Sequence, residues 1–503
     1  MTNSSGQRGQ RIYGNSLIFL LYKALHDIDP QASLRMEHST LCGYFLHVET
    51  GHAPVSSPDG RRAHGPSLHV ELRDRMRALV EADLPFVEHT MPLSEAIPLV
   101  AHAPSTHQLL QDLSQEEITL HSLDGLYHKF GTPLLPSTGC LQVWDLFPFE
   151  DGLMLQMPDP HHPDQLLPYR VSPKIFSIFQ EHHRWAQLLE VPDIHALNHE
   201  IRSGRGNHLL QVAEALHEKK YAAIADQIYQ HPEVKMVLLA GPSSSGKTTS
   251  CRRLGVQLSV LGYEVHQMSL DDYFLAREFT PKDENGELDF ECLEALDIPL
   301  LNDHLTRLFR GEEVELPTFD FVQGRPFFRG NRLCLQPRSG KQPILIVEGI
   351  HALNPKLTEQ IDNALKFKVY VSALTQIAVD DHNIIHTSDN RLIRRIVRDN
   401  NYRGNDALST LARWESVRHG EEQHIFPFQE QADAIFNSAL LYELSILRPL
   451  VEPLLRAVPD DRPEKAEAQR LLNVIELIDP LPSTAIPPTS ILREFLGGSS
   501  FEY

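Results

Sequence analysis

Between Gly241 and Thr249 the chain reads GPSSSGKTT, which fits G-x-x-x-x-G-K-[ST] without a mismatch. The two glycines let the backbone fold so that successive N–H groups point inward, and a helix starting at Lys247 would aim its positive end at the same place. That is a cradle for the phosphates of a nucleoside triphosphate. Its candidate binding residues are Gly241, Ser243, Ser244, Ser245, Gly246, Lys247, Thr248 and Thr249. Lys247 would reach the β- and γ-phosphates, and Thr248 would hold Mg²⁺. The cradle leaves the phosphoryl acceptor unnamed.

Two acidic signals follow apolar runs of strand length. YEVHQMSL runs into Asp271 and Asp272, and PILIV runs into Glu348. In open α/β sheets ligands sit at the carboxyl ends of the strands, so both acids are expected at the site. One could take the proton of an attacking hydroxyl, the other could support a metal. Read locally, the plain alternatives are a helix or turn cap for Asp271 and an exposed strand end for Glu348, and the neighbouring phosphate cradle weighs against both.

A third signal is RLIRRIVRDNNYRG, residues 391–404. Arg391, Arg394, Arg395 and Arg398 share one helical face, opposite Leu392, Ile393, Ile396 and Val397. Stacked like charges repel unless an anion lies among them. A mobile arginine lid over a triphosphate would explain the pattern. A solvated face balanced by nearby acid is the plain alternative, and nucleic-acid binding the weaker third.

These residues need elements to hold them. From residue 235 onward strands alternate with helices (KMVLLA, TTSCRRLGVQLSVLG, YEVHQMSL, PILIVEGI, FKVYVSA), which predicts an α/β fold with a parallel sheet flanked by helices. Residues 171–230 carry apolar positions at helical spacing. Residues 12–165 mix short apolar runs with Pro and His and read as α+β. The expected division is an α+β domain over 12–165, a helical bridge over 166–232, the phosphate-binding domain over 233–455, and a helix with a Pro-rich tail over 456–503.

At 503 residues the chain has room for two to three domains. A net charge of −21 argues against a general nucleic-acid or membrane-surface binder. Its five cysteines stand apart without CxxC pairs, which suits a reducing compartment, and LIFLLY is too short to cross a bilayer. A cytoplasmic protein is expected.

Taken together, GPSSSGKTT, SLDDYF, TPKDENGELDFECLEALD, LPTFDF, VEGIHALNP, SALTQ, RLIRRIVRD, RWESVRHGEE, IFPFQE, FNSAL and SILREFLGG, in this order, resemble the uridine kinase and phosphoribulokinase group of P-loop kinases. The closest resemblance is to a bacterial two-domain uridine kinase-like branch. It implies Mg²⁺ and ATP as cofactors and transfer of the γ-phosphoryl group to a hydroxyl, foremost the 5′-hydroxyl of a nucleoside such as uridine or cytidine. By the same resemblance Asp271 falls on the catalytic base, Glu348 on the magnesium-associated acid, and Arg398 and Arg403 on the phosphate-contacting lid. Asp272, Tyr273, Glu294, Phe319 and Asp320 fall around the acceptor. Such kinases often form oligomers of identical chains.

Two departures bear on the acceptor. The family's Asp-Ala-Phe-Asp block is Glu294-Ala295-Leu296-Asp297 here, and the histidine that reads a pyrimidine edge is replaced by Gly324. A sugar phosphate or a pantothenate-like alcohol therefore stands as an alternative acceptor, and an ATP-sensing, RNA-associated protein as a different class of reading.

Near the start, SLIFLLYKALHDIDPQASLRMEHSTLCGYF resembles the second additional domain of threonyl-tRNA synthetases, with a preceding ubiquitin-like TGS domain expected to be missing or nearly so. The editing spacings HxxxH and CxxxH are replaced by a single His38–x₃–Cys42, which implies a relic binding or packing module. His195 and His199 form an HxxxH without the glutamate of a zinc protease and are expected to pack or face solvent.

Overall fold

The computed structural model describes residues 7–502 apart from 41, 51–67, 170–171, 283–285, 287, 321, 338–339 and 376. Parts of the TPKDENGELDF, LPTFDF and SALTQ stretches fall on positions outside that set.

The first helix, α1 (Gln7–Ile28), carries the apolar run of residues 17–22 and buries it completely against the N-terminal sheet. Among the described residues no helix is long and apolar enough to cross a membrane. Then come β1 (Ser33–Thr40), β2 (Gly43–Glu49), α2 (Leu68–Glu81), β3 (Phe86–Pro92), α3 (Leu93–Leu99), α4 (Pro104–Gln111), β4 (Glu117–Leu123), β5 (Leu126–His128), β6 (Asp145–Phe149) and β7 (Gly152–Gln156). They build two antiparallel sheets, in the orders β1-β2-β7-β6 and β3-β4-β5. Alternation in the burial of β1 follows its sequence, with Leu34, Met36 and His38 turned inward.

Three helices follow, α5 (Pro173–Leu188), α6 (Ile194–Arg202) and α7 (Gly206–Tyr229). They link the two halves by their side chains. Phe179 of α5 stacks on His38 of the N-terminal sheet at 4.0 Å, while Tyr221 of α7 stacks on Phe436 of the second half at 4.2 Å.

The second half comprises β8 (Met236–Ala240), α8 (Lys247–Val260), β9 (Glu264–Ser269), α9 (Ile298–Phe309), β10 (Val314–Asp320), β11 (Arg325–Leu333), β12 (Pro343–Glu348), β13 (Lys366–Ser372), β14 (Ala378–Asp380), β15 (Asn383–Ile384), α10 (Thr387–Arg398), α11 (Ala407–His424), β16 (Ala434–Asn437), α12 (Glu443–Arg456), α13 (Lys465–Ile475) and α14 (Arg493–Leu496). Five of its strands form a parallel sheet, order β16-β13-β8-β12-β9. The apolar runs MVLLA and PILIV, the second ending on Glu348, are its central strands, buried on both faces by helices.

The expected Pro-rich tail takes a different form. Ile491, Leu492 and Phe495 are fully buried and belong to the same core as the parallel sheet. Three large apolar side chains within five residues bring the segment back onto the domain. Arg11 of α1 donates to Asp389 of α10 at 2.6 Å and to Glu467 of α13 at 2.8 Å, and Arg470 also holds Asp389. Burial opposes the charge on Asp389, but the two guanidinium groups outweigh it and keep the carboxyl well below the usual range.

Candidate active site

The loop from Gly241 to Gly246 joins the carboxyl end of β8 to the start of α8. A Cβ on Gly241 would lie 2.0 Å from the carbonyl oxygen of Val371 in the neighbouring strand, so only glycine lets the chain pass there. Gly246 has φ +83°, a left-handed turn that leads into α8 and, as the N-cap residue, offers no side chain of its own to the helix. The first-turn amides of α8 are thereby presented to an anion. The buried hydroxyls of Ser244 and Ser245 have no hydrogen-bond partner among the described residues. Lys247 reaches back to the carbonyl of Pro242 at 3.1 Å. Burial depresses its pKa, against the charges of Glu348 and Asp271. A loop with two unpartnered hydroxyls beside a half-buried cation is suited to phosphate.

Glu348 ends β12, beside the last residue of β9. Its Oε1 accepts from Ser269 Oγ at 3.0 Å and stands 3.5 Å from Thr248 Oγ1. Burial, then the charge of Asp271, pushes its pKa up to about 7 against the pull of Lys247. Asp271 is the second residue of the short 3-10 turn (Leu270–Tyr273) that follows β9, its amide donating to Ser269 Oγ at 3.3 Å. The parallel pairing of β9 and β12 therefore brings Asp271, Glu348, Thr248 and Lys247 to one spot.

Other expected site residues point elsewhere. Asp272 accepts from the Phe319 amide at 3.2 Å and anchors β10, with burial raising its pKa. Tyr273 is a core residue, 1% exposed, whose hydroxyl meets His304 Nδ1 at 2.9 Å; it does not face an acceptor. Phe319 packs edge-on to Phe274 in that core. Asp320 accepts from the amides of Val322 and Gln323, capping the hairpin turn between β10 and β11. Glu294 is exposed on its short 3-10 turn. The neighbouring half-buried Glu291 has the more telling surroundings: burial and Glu421 lift its pKa to about 7, and Arg395, Lys247 and Asp271 act on it too.

The arginine face of α10 lies on the phosphate loop, but it is clamped there rather than free as a lid. Arg391 and Arg394 are almost wholly buried, the first paired with Glu421 of α11 and the second with Glu443 of α12. Arg391 also donates to the Ser243 carbonyl at 2.8 Å, Arg395 donates to Ser243 Oγ at 3.0 Å, and Glu421 accepts from the Ser243 amide at 3.0 Å. Partner acids from other helices remove the repulsion that the four-arginine spacing implied. Arg398 is mostly buried near Asp399, and burial together with Arg403 lowers its pKa to about 10. Arg403, half-exposed, ends the single π-helical turn that follows α10.

Sequence reasoning passed over Glu494. Its Oε2 accepts from the Thr249 amide at 3.2 Å and from Thr249 Oγ1 at 2.7 Å, placing a carboxylate on the first turn of α8. Its neighbour Ile491 packs over Gly246. The only signal was the SILREFLGG block itself, which carries no chemistry by spacing. Away from the site, His195 bonds to Asp112 at 2.6 Å, and the buried Cys42 lies 3.3 Å from Thr40 Oγ1.

Residues 236–443 match the family model described as phosphoribulokinase / uridine kinase family. Uridine kinase of Lactobacillus helveticus is 31% identical over 199 residues, spanning 39% of this chain and 83% of that protein. Uridine kinase of a Staphylococcus aureus strain is 29% identical over 198 residues, 39% of this chain and 84% of that one. A solved structure described as a possible uridine kinase from Bacillus stearothermophilus is 19% identical with a TM-score of 0.28, covering 43% of this chain and 97% of its own. The shared stretch is the half that carries the phosphate loop, Asp271, Glu348 and α10, and through it the chain belongs to the phosphoribulokinase / uridine kinase family of kinases.

Proposed function

We propose that the chain transfers the γ-phosphoryl group of ATP to the 5′-hydroxyl of a nucleoside such as uridine or cytidine. The observation that carries this reading is the meeting of Asp271, Lys247, Thr248 and Glu348 where the phosphate loop, β9 and β12 end. The loop amides and Lys247 hold the phosphates and take up charge as the γ-phosphoryl group moves. Asp271 orients the acceptor hydroxyl and receives its proton. Arg398 and Arg403 face the transferring group, where a buried guanidinium gains most from an anion.

Magnesium fits the residues present. Glu348 is buried with a pKa raised to about 7 and adjoins two hydroxyls, a donor set that gains from a divalent cation. Thr248 and Glu348 would hold it, and bound there it supplies charge neutralisation between the phosphates.

One observation favours an anionic acceptor as a second reading. Where the family places a histidine, a Cβ on Gly324 would lie 2.4 Å from the Arg277 side chain. A guanidinium in that place suits a sugar phosphate better than a pyrimidine edge. ADP release from Mg²⁺-ATP across uridine, cytidine, purine nucleosides, ribulose 5-phosphate and pantothenate, with Lys247→Ala as the blank, separates the two. Turnover on a nucleoside supports the first reading, turnover on the sugar phosphate alone supports the second, and silence on all acceptors overturns both.

Glu494 adds a condition to nucleotide binding, since its carboxylate holds a first-turn amide that phosphate also seeks. Glu494→Gln is expected to tighten ATP by about tenfold, or about 1.4 kcal/mol, by removing like-charge repulsion. Isothermal titration with a non-hydrolysable ATP analogue measures it, and weaker binding would instead make Glu494 a support of the loop.

The α+β region over 12–165 remains a resemblance to the threonyl-tRNA synthetase additional domain, read as a relic binding or packing module joined by the helices of 166–232 to a kinase domain over 233–455 and its C-terminal segment. A cytoplasmic setting accords with cysteines at 42, 140, 251, 292 and 334 for which no disulfide is seen among the described residues.

A further inference from the structure

A cavity of about 800 Å³ lies between the N-terminal sheet, α5 and the kinase helices α10 and α11. Its floor includes Tyr370 and Ser372 at the carboxyl end of β13, and Lys247, Asp271 and Glu348 take no part in its lining. It is thus separate from the phosphate site, though the two share a wall.

The lining has a definite chemistry. Phe149, Tyr169, Phe176 and Phe179 supply aromatic faces and edges. His38, which also lines it, is 4% exposed and lies flat on Phe179, with an interplanar angle of 8°. Its Nε2 has no hydrogen-bond partner among the described residues. Burial lowers its pKa to about 3, so at neutral pH the ring is uncharged. Arg418 also lines the cavity, and its buried Nε likewise has no hydrogen-bond partner among the described residues, while the other guanidinium nitrogens serve Glu421 and Glu422. The cavity wall therefore offers aromatic surface, with one neutral imidazole nitrogen and one N–H donor just behind it, each closed off from solvent and without a partner among the described residues. Glu422, Glu430 and Asp159 on the same lining disfavour a strong anion.

Arg391 belongs to both sites. It lines the cavity, donates to the Ser243 carbonyl, and pairs with Glu421, which accepts from the Ser243 amide. A ligand that shifts Arg391 must shift the peptide groups on both sides of Ser243.

We propose that this cavity is a second small-molecule site, which takes an uncharged planar nitrogen heterocycle with ring carbonyls, the nucleobase class, and that its occupancy is felt at the phosphate loop through Arg391. The flat body stacks among the phenyl rings, and a small shift of the rings and stems that cover them lets a ring carbonyl answer the Arg418 donor and a ring N–H or nitrogen answer His38. The reading is independent of which acceptor the kinase uses.

Equilibrium dialysis of the full chain against labelled uracil and hypoxanthine tests it, because neither base carries a hydroxyl to be phosphorylated. A single equivalent of at least one base is expected to bind with Kd below about 1 mM. Lys247→Ala should keep that binding. Ser39→Trp, which fills the cavity, and Phe179→Leu, which removes a stacking ring, should each weaken it about tenfold or more, with folding checked by circular dichroism. Saturating base should change the affinity for a fluorescent ATP analogue about fivefold in the parent chain, and not in Ser39→Trp. No binding of either base by the folded parent, binding undiminished in the folded variants, or binding lost in Lys247→Ala would overturn the site. An unchanged ATP affinity would overturn the link through Arg391.

Discussion

Asp271→Asn is expected to lower kcat by about 10²–10⁴-fold, the range for loss of a positioned general base. The amide keeps the size of the side chain and the turn that follows β9, so the geometry around Ser269 should survive. Nucleotide binding should survive as well, for a reason specific to this site. The Asp271 charge is the second cause, after burial, that raises the Glu348 pKa to about 7. Removing that charge lets Glu348 ionise more readily, which would preserve or strengthen the hold of the proposed Thr248 and Glu348 pair on magnesium. The loss should fall on kcat and kcat/KM together, as for an interaction made only in the transition state. Steady-state ADP release and a separate ATP titration measure the two halves. Near-parental turnover would remove Asp271 from the mechanism.

Glu421→Gln should cost about 3–5 kcal/mol of stability, the usual penalty when one partner of a buried pair is removed. Glu421 is fully buried. One oxygen takes Arg391 and the Ser243 amide, and the other takes Arg418 at 3.2 Å. A neutral amide leaves two guanidinium groups short of countercharge, one of them, Arg391, 1% exposed. The midpoint of urea unfolding should drop accordingly, and ATP affinity of the remaining folded protein should fall because Ser243 loses its anchor. Glu422→Gln is the comparison. That half-buried residue holds Arg418 alone at 3.0 Å, and its loss should stay within about 1 kcal/mol. Equal losses in the two variants would mean that Glu421 does not hold the loop.

The sequence made the parallel sheet and the phosphate loop legible for related reasons. Apolar runs such as MVLLA and PILIV announce buried parallel strands, and the loop's chemistry is contiguous, so nothing distant has to be known. The arginine spacing was equally visible, yet its meaning depended on Glu421 and Glu443, which sit on other helices and cannot be paired with Arg391 and Arg394 by spacing. Tyr273 illustrates the reverse difficulty. It follows two acids that face the site or its supporting strand, but the tight 3-10 turn rotates its ring into the core toward His304. Asp320 was read as part of a pocket because of its block, while the local turn claims its carboxylate for two amides. Glu291 and Glu494 lie in matched blocks whose spacing carries no chemistry, so neither the pull of Lys247 and Asp271 on the first nor the bond of the second to Thr249 could be read from them.

The contact between Thr249 and Glu494 spans 245 positions of chain. On a ribosome the phosphate loop therefore emerges long before the segment that covers it, and Gly246 waits for Ile491 just as long. A nascent chain stalled short of residue 490 would carry a complete cradle motif with its first helical turn open and Phe495 missing from beneath Arg394. Closure over so great a separation is slow, and it comes after most of the parallel sheet can already pair. In this protein the first turn of α8 reaches its folded arrangement only after residues 491–494 have been made, and shorter products are set apart from longer ones by the state of that one turn.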